Sequence, residues 1–267
     1  MTVLDASAES LLRQGRPEEA LQQLTAEVRQ HPADAKRRVF LFQLLSLLGQ
    51  WERAQHQLVV SGELDGLNSL LVGAYSAALK GELTRGAVFR GEATPTVIGE
   101  PDAWLALLLQ AIRHTAEGHH VQAARLRNEA FEQAPASKGH VDGAAFQWLA
   151  DADTRIGPCL EVIVSGGYAW VPFARIKSLV FEAPSDLRDK VWAPVQLTLA
   201  NGGQMVGFVP ARYPDTERSG DNDLLMARKT EWNDVGEETF LGIGQRMFVS
   251  DAGDYSLLDI RQIDFES

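Results

Sequence analysis

Apolar residues recur at two different periods along this chain, and the period changes near residue 140. Before that point they fall at helical spacing. In PEEALQQLTAEV (17–28), Leu21, Leu24 and Val28 form one stripe, and Glu18 and Glu19 occupy the first turn. Pro17 sits where a first helical turn tolerates a missing N–H. Beyond residue 140 come short β-branched and aromatic runs divided by turn residues. CLEVIV (159–164) and YAWVPF (168–173) flank a glycine-containing turn, and ARIKSLVFE follows. VQLTLA (195–200) and QMVGFVPARY (204–213) flank Asn201-Gly202-Gly203, and GQRMFVS (244–250) and YSLLDIRQIDF flank DAGD. Three such hairpins with little helix between them predict a small, curled, β-barrel-like domain.

The helical half also repeats itself. Leu11, Gly15, Ala20 and Leu24 recur as Leu45, Gly49, Ala54 and Leu58, each shifted by 34 residues. That is the period of tetratricopeptide-type helix pairs, in which a small residue lets two helices approach closely. GRPEEALQQLTAEVRQHP (15–32) is echoed by GHHVQAARLRNEAFEQAP (118–135), again running from glycine to proline. Residues 66–90 and 101–117 are helical but degenerate. The fold class expected is therefore α+β with two domains: a TPR-like all-helical array of about three helix pairs over 1–137, then a β-barrel-like domain over 138–267. Mostly local contacts lead to the expectation that the helical half folds alone.

Composition narrows the setting. The 267 residues are 45% hydrophobic and 23% charged, as in ordinary globular proteins. The start, MTVLDASAES, has neither a basic nor an apolar signal-peptide region, and runs such as VFLFQLL (39–45) are too short to span a bilayer. A single cysteine, Cys159, cannot form an internal disulfide. These features point to the cytoplasm. The net charge of −11 is uneven: residues 1–137 carry 13 Lys/Arg against 16 Asp/Glu, residues 138–267 carry 12 against 20. An acidic second half argues against nucleic acid and anionic membranes as partners.

The candidate chemistry is thin. Asp151 and Asp153 form D-x-D, a pattern that can hold a divalent cation, but Arg155 beside them would neutralise it. In a helical register Asp151 and Arg155 are i and i+4 and would pair at a partly exposed joint between domains, closed by Gly157-Pro158. His114, His119 and His120 cluster at a helix–turn–helix junction without a cysteine or second acidic ligand at zinc spacing, and read as exposed turn residues. Cys159 reads as buried and inert. No nucleophile elbow, phosphate-binding loop or complete dinucleotide fingerprint is present, so no catalytic, metal or cofactor site is assigned.

The second half carries a resemblance. FQWLADADTRIGPCLEVIVSGGYAWVPFARIKSL, then APSDLRDKVWAPVQL, GFVPARYP, ARKTEW, GIGQRMFVSDAG and LLDIRQIDF resemble the ImpE/TagJ family of bacterial type VI secretion accessory proteins. The resemblance implies a non-enzymatic adaptor that contacts the small sheath subunit through a helix near that subunit's N-terminus. It also implies a link with the AAA+ ATPase that recycles contracted sheaths. On this reading the apolar excess of VFLFQLLSLL (39–48) nominates Phe42 and Trp51 as groove-lining anchors. The alternative is a small-ligand or enzymatic site in the β half, where Arg188, Asp189, Arg212 and Tyr213 would converge from polar loops.

Overall fold

The glycines that punctuate the repeat adopt positive φ, and each ends a helix: Gly15 at 72°, Gly49 at 67°, Gly118 at 77°. The computed structural model describes residues 7–100 and 102–266. The first residues of the stretch read against a signal peptide lie outside them, as does Pro101.

Three helical hairpins turn at these glycines. Helices α1 (Ala8–Arg13) and α2 (Pro17–Gln30), and α3 (Ala35–Leu47) and α4 (Trp51–Leu64), are the two copies of the repeat. The paired positions Leu11 and Leu45, Ala20 and Ala54, and Leu24 and Leu58 are all buried. Helix α3 starts at Asp34, whose carboxylate accepts from the Arg37 N–H at 3.1 Å. Between the second and third hairpins lies one long helix, α5 (Ser69–Phe89), followed by a two-residue strand, β1 (Thr96–Val97). The third hairpin is α6 (Ala103–Ala116) with α7 (His120–Gln133). The expected all-helical array of stacked pairs is thus corrected: α5 packs on the sheet, and β1 joins it.

The remaining strands are β2 (Gly139–Val141), β3 (Ala144–Phe146), β4 (Leu149–Asp151), β5 (Cys159–Val164), β6 (Gly167–Pro172), β7 (Ile176–Phe181), β8 (Trp192–Leu199) and β9 (Gln204–Pro210). After the short helix α8 (Asn222–Leu225) come β10 (Thr230–Asp234), β11 (Phe240–Gly244), β12 (Met247–Ser250), β13 (Asp254–Ser256) and β14 (Gln262–Phe265). The three expected hairpins form, as β5–β6, β8–β9 and β12–β13. Residues beyond β13 turn away through a 3₁₀ helix, and β14 inserts between β7 and β2.

The main sheet has the order β1-β6-β5-β9-β8-β7-β14-β2-β3, with β1 parallel to β6 and the other pairs antiparallel. Its end strands do not pair with each other, so the barrel expectation is corrected to an open, nine-stranded sheet. Strand β5 is buried on both faces. Cys159 and Ile163 face the core shared with the helices, while Leu160, Val162 and Val164 face a second core enclosed by strands.

The secondary structure changes character near residue 138, but the first core crosses that point. It joins Leu24, Phe42, Leu58 and Leu79 of the helices to Trp170, Trp192, Tyr213 and Leu225 of the second half. No helix among the described residues is long and apolar enough to cross a membrane.

Candidate functional site

The residues richest in chemistry lie where the two halves meet. Glu161 is the one charged residue of β5, and its side chain is fully buried. It accepts from Arg85 of α5 (Nε, 2.8 Å), from the Tyr168 hydroxyl (2.5 Å) and from Arg246. Arg246 reaches on to Asp151, which also accepts from the Tyr213 hydroxyl at 3.0 Å and the Asp153 N–H at 2.9 Å. The Arg246 Nε donates to the Pro210 carbonyl at 2.8 Å, and Arg85 to that of Arg212 at 2.8 Å. Burial opposes the Glu161 carboxylate, yet Arg85 and Arg246 outweigh it and hold Glu161 at about 2. Asp151 goes the other way. Burial pushes it up to about 7 despite Arg246, with Asp153 and Glu161 adding to the push.

This geometry corrects the reading of residues 146–158. Asp151 ends strand β4, paired with Phe248 of β12, and is not on a helix. Arg155 pairs with Asp153 at 2.5 Å, and the same carboxylate accepts from the Gly242 N–H at 3.0 Å. Both aspartates are buried, with arginines on each, so they are structural ion-pair partners here. The signal for burial was present in CLEVIV: a lone glutamate among five apolar strand residues needs a counterion. No local pattern pointed to Arg85 or Arg246 as that counterion, because the partners lie 76 and 85 residues away.

The polar loop residues do not converge on a pocket. Arg188 lies over the Tyr75 ring at 4.9 Å and pairs with Asp186 at 2.5 Å. Asp189 completes a capping box on the 3₁₀ turn Leu187–Lys190, accepting from the Ser185 and Asp186 N–H groups at 2.8 Å each. Arg212 is buried and spends its guanidinium on the Leu47 and Leu225 carbonyls, at 2.9 and 2.7 Å, fastening α3 to α8. Tyr213 belongs to the Asp151 network. Each side chain is committed to holding the fold. Cys159 is buried, which pushes its thiol well above its usual range.

Phe42 is corrected as a surface anchor. It is fully buried, stacked on Trp192 at 6.5 Å and edge-on to Tyr75 at 5.6 Å. The apolar excess of 39–48 is spent on a helix buried between the repeat and the sheet. Trp51 is half-buried, also against Trp192, beside a small polar-edged hollow.

An exposed apolar groove lies elsewhere, between α5 and the β5–β9 junction. Its volume is about 420 Å³, and it is walled by Gly73, Ala74 and Ala77 on one side and Val206 and Phe208 on the other. With Leu70, the three small residues fall at i, i+3, i+4 and i+7 and form one face of α5. Leu67, Leu70 and Val206 are the most exposed large apolar side chains among the described residues, at 90%, 86% and 74%. Sequence reasoning missed this face because α5 is apolar nearly all round, leaving no polar side to mark its orientation.

Comparison with known proteins adds identity. Residues 143–264 match the family model described as ImpE protein. The chain is 53% identical over 259 residues to the type VI secretion system accessory component TagJ of Pseudomonas aeruginosa, covering 97% of this chain and 91% of that protein. Its fold is also that of protein VPA1032 from Vibrio parahaemolyticus, whose crystal structure aligns at a TM-score of 0.89 with 24% identity, over 97% of both chains. The chain belongs to the ImpE/TagJ family of type VI secretion system accessory proteins.

Proposed function

We propose that this chain is a non-enzymatic adaptor of a type VI secretion system that captures an amphipathic helix of the small sheath subunit. Through that contact it would work beside the AAA+ ATPase that recycles contracted sheaths. The observation that carries the reading is the groove along α5. Its small residues leave room for a second helix backbone, while Leu70, one turn before Gly73 on the same helix face, and Val206 opposite offer apolar contact. The relationship to an accessory component supplies the setting. The polar side chains nominated for a ligand site are engaged in structural contacts, which favours an adaptor over an enzyme.

The test is titration of a fluorescently labelled N-terminal helix peptide of the sheath subunit against wild type and Ala77→Glu. Glutamate in the groove puts an unpaired charge where the peptide's apolar face would lie, so affinity should fall by at least about ten-fold. Equal affinity for the two proteins would reject the groove as the binding site.

A further inference from the structure

Four of the described helices end in the same way, and one of those ends carries different chemistry. In α1, α3, α5 and α6, the N–H two residues past the last helical turn returns to a carbonyl five residues back, and the intervening residue is Gly15, Gly49, Gly91 or Gly118. This is the Schellman arrangement, which brings the first and last side chains of the motif against each other. In the first three ends these pairs are Leu11 with Arg16, Leu45 with Gln50 and Ala87 with Glu92. In α6 they are His114 and His119, joined by the His119 N–H to His114 carbonyl bond at 2.8 Å. Glu117, the capping residue, lies between them.

The ligand atoms are already close to a metal's spacing. Glu117 Oε2 is 3.6 Å from His114 Nδ1 and 3.2 Å from His119 Nδ1, and the three ligand atoms lie within 4.8 Å of one another. Two ligands on a tetrahedral zinc, with bonds of about 2.0–2.1 Å, stand about 3.4 Å apart. The third separation closes by rotation of the His119 ring, which is more than half exposed. His114 Nδ1 is sealed from water and has no hydrogen-bond partner, although the carboxylate is in front of it. The carbonyl end of α6 adds the negative pole of a helix dipole, which favours a cation.

We propose that His114, Glu117 and His119 bind a zinc ion, with water in the remaining position, and that the metal pins the α6–α7 turn. Two imidazoles and one carboxylate form a donor set suited to zinc among the abundant divalent ions, since magnesium and calcium prefer oxygen alone. The sequence alone suggested only exposed turn histidines, because Glu117 becomes a ligand only through the backward turn at Gly118.

The full-length protein, stripped with a chelator and dialysed, is to be titrated with zinc sulfate against a chromophoric chelator. Wild type should take up one equivalent and gain melting temperature. The double variant His114→Ala/His119→Ala should lose that equivalent and the gain, and Glu117→Ala should bind at least about ten-fold more weakly. His120→Ala is the neighbouring control and should bind as wild type does. Glu117 and His119 are at least half exposed and His114 about a third, so zinc-free melting curves should differ little and separate lost binding from lost folding. Failure of wild type to take up zinc at micromolar concentration would overturn the site. So would undiminished binding by the double variant or by Glu117→Ala.

Discussion

Arg85 Nε donates to Glu161 Oε1 at 2.8 Å, with both side chains almost sealed from water, and so ties α5, the longest of the described helices, to strand β5. Glu161 also accepts from Arg246, and Arg246 from its other arm reaches Asp151. One arginine thus serves two buried carboxylates. Replacing Arg246 with methionine keeps most of the volume but leaves Asp151 and Glu161 short of a counterion. The expected loss is about 3–5 kcal/mol, read as the shift in urea midpoint at constant slope. A loss below about 1 kcal/mol would mean the network is energetically idle.

Stability should depend on pH through the same network. Asp151 is pushed up to about 7 from 3.8, so between those values the folded state holds a proton that the unfolded chain has released. Its contribution is present at low pH and is lost as pH rises through about 7. Glu82 is raised by burial and acts in the same direction. Glu161, held at about 2, acts oppositely: its contribution is present above 4.5 and is lost as pH falls towards 2. Asp151→Asn removes the first effect and leaves the third. Thermal melts from about pH 5 to about pH 8 should show the wild type declining relative to the variant. A difference that stays constant with pH would contradict the assignment to Asp151.

Much of the backbone could be read from the sequence, because its signals are local. The 34-residue repeat, its glycines and the Asn201-Gly202-Gly203 turn each fix conformation within a few residues. What could not be read depends on distant partners. Thr96 and Val97 are too few to show an alternation, yet they extend the sheet beside Ala169 and Trp170. Asp151, Asp153, Arg155 and Arg246 look like surface charge until the fold pairs them in the interior. Phe42 looked available because a helix apolar on every side does not say which neighbours cover it.

The shared core gives a prediction opposite to the one local contacts suggest. In the intact chain Phe42, Tyr75 and Leu79 are covered partly by Trp170, Trp192 and Tyr213. A fragment of residues 1–137 would expose that surface and leave Arg85 without Glu161. It should retain helical circular dichroism but melt without a cooperative transition and bind a hydrophobic dye. A sharp, dye-free transition would show the helical half to be autonomous.

The β5–β9 junction rests on two residue pairs, Ile163 with Phe208 and Val164 with Gly207. A Cβ at Gly207 would stand 2.3 Å from the Ile163 carbonyl oxygen, which is backbone and cannot swing aside. Gly207→Ala should therefore cost about 1–3 kcal/mol and part the strands beside the groove. Hydrogen exchange of the Ile163 and Phe208 amides, the pair that faces across this junction, should quicken in the variant. Wild-type protection at both would mean the sheet absorbs the methyl without opening.

Binding and folding should separate at two named residues. Phe42 is fully buried, so Phe42→Ala should cost about 3–5 kcal/mol through the cavity it leaves against Trp192 and Tyr75. Any change in sheath-peptide affinity it causes should vanish where the variant remains folded, for example at lower temperature. Val206 is 74% exposed on the groove wall, and its replacement by aspartate should change stability by no more than about 0.5 kcal/mol. That substitution should nevertheless weaken the peptide, since its charge is desolvated only when the groove is filled. Folded Phe42→Ala that fails to bind, alongside Val206→Asp that binds normally, would move the recognition surface from α5 to the repeat helices.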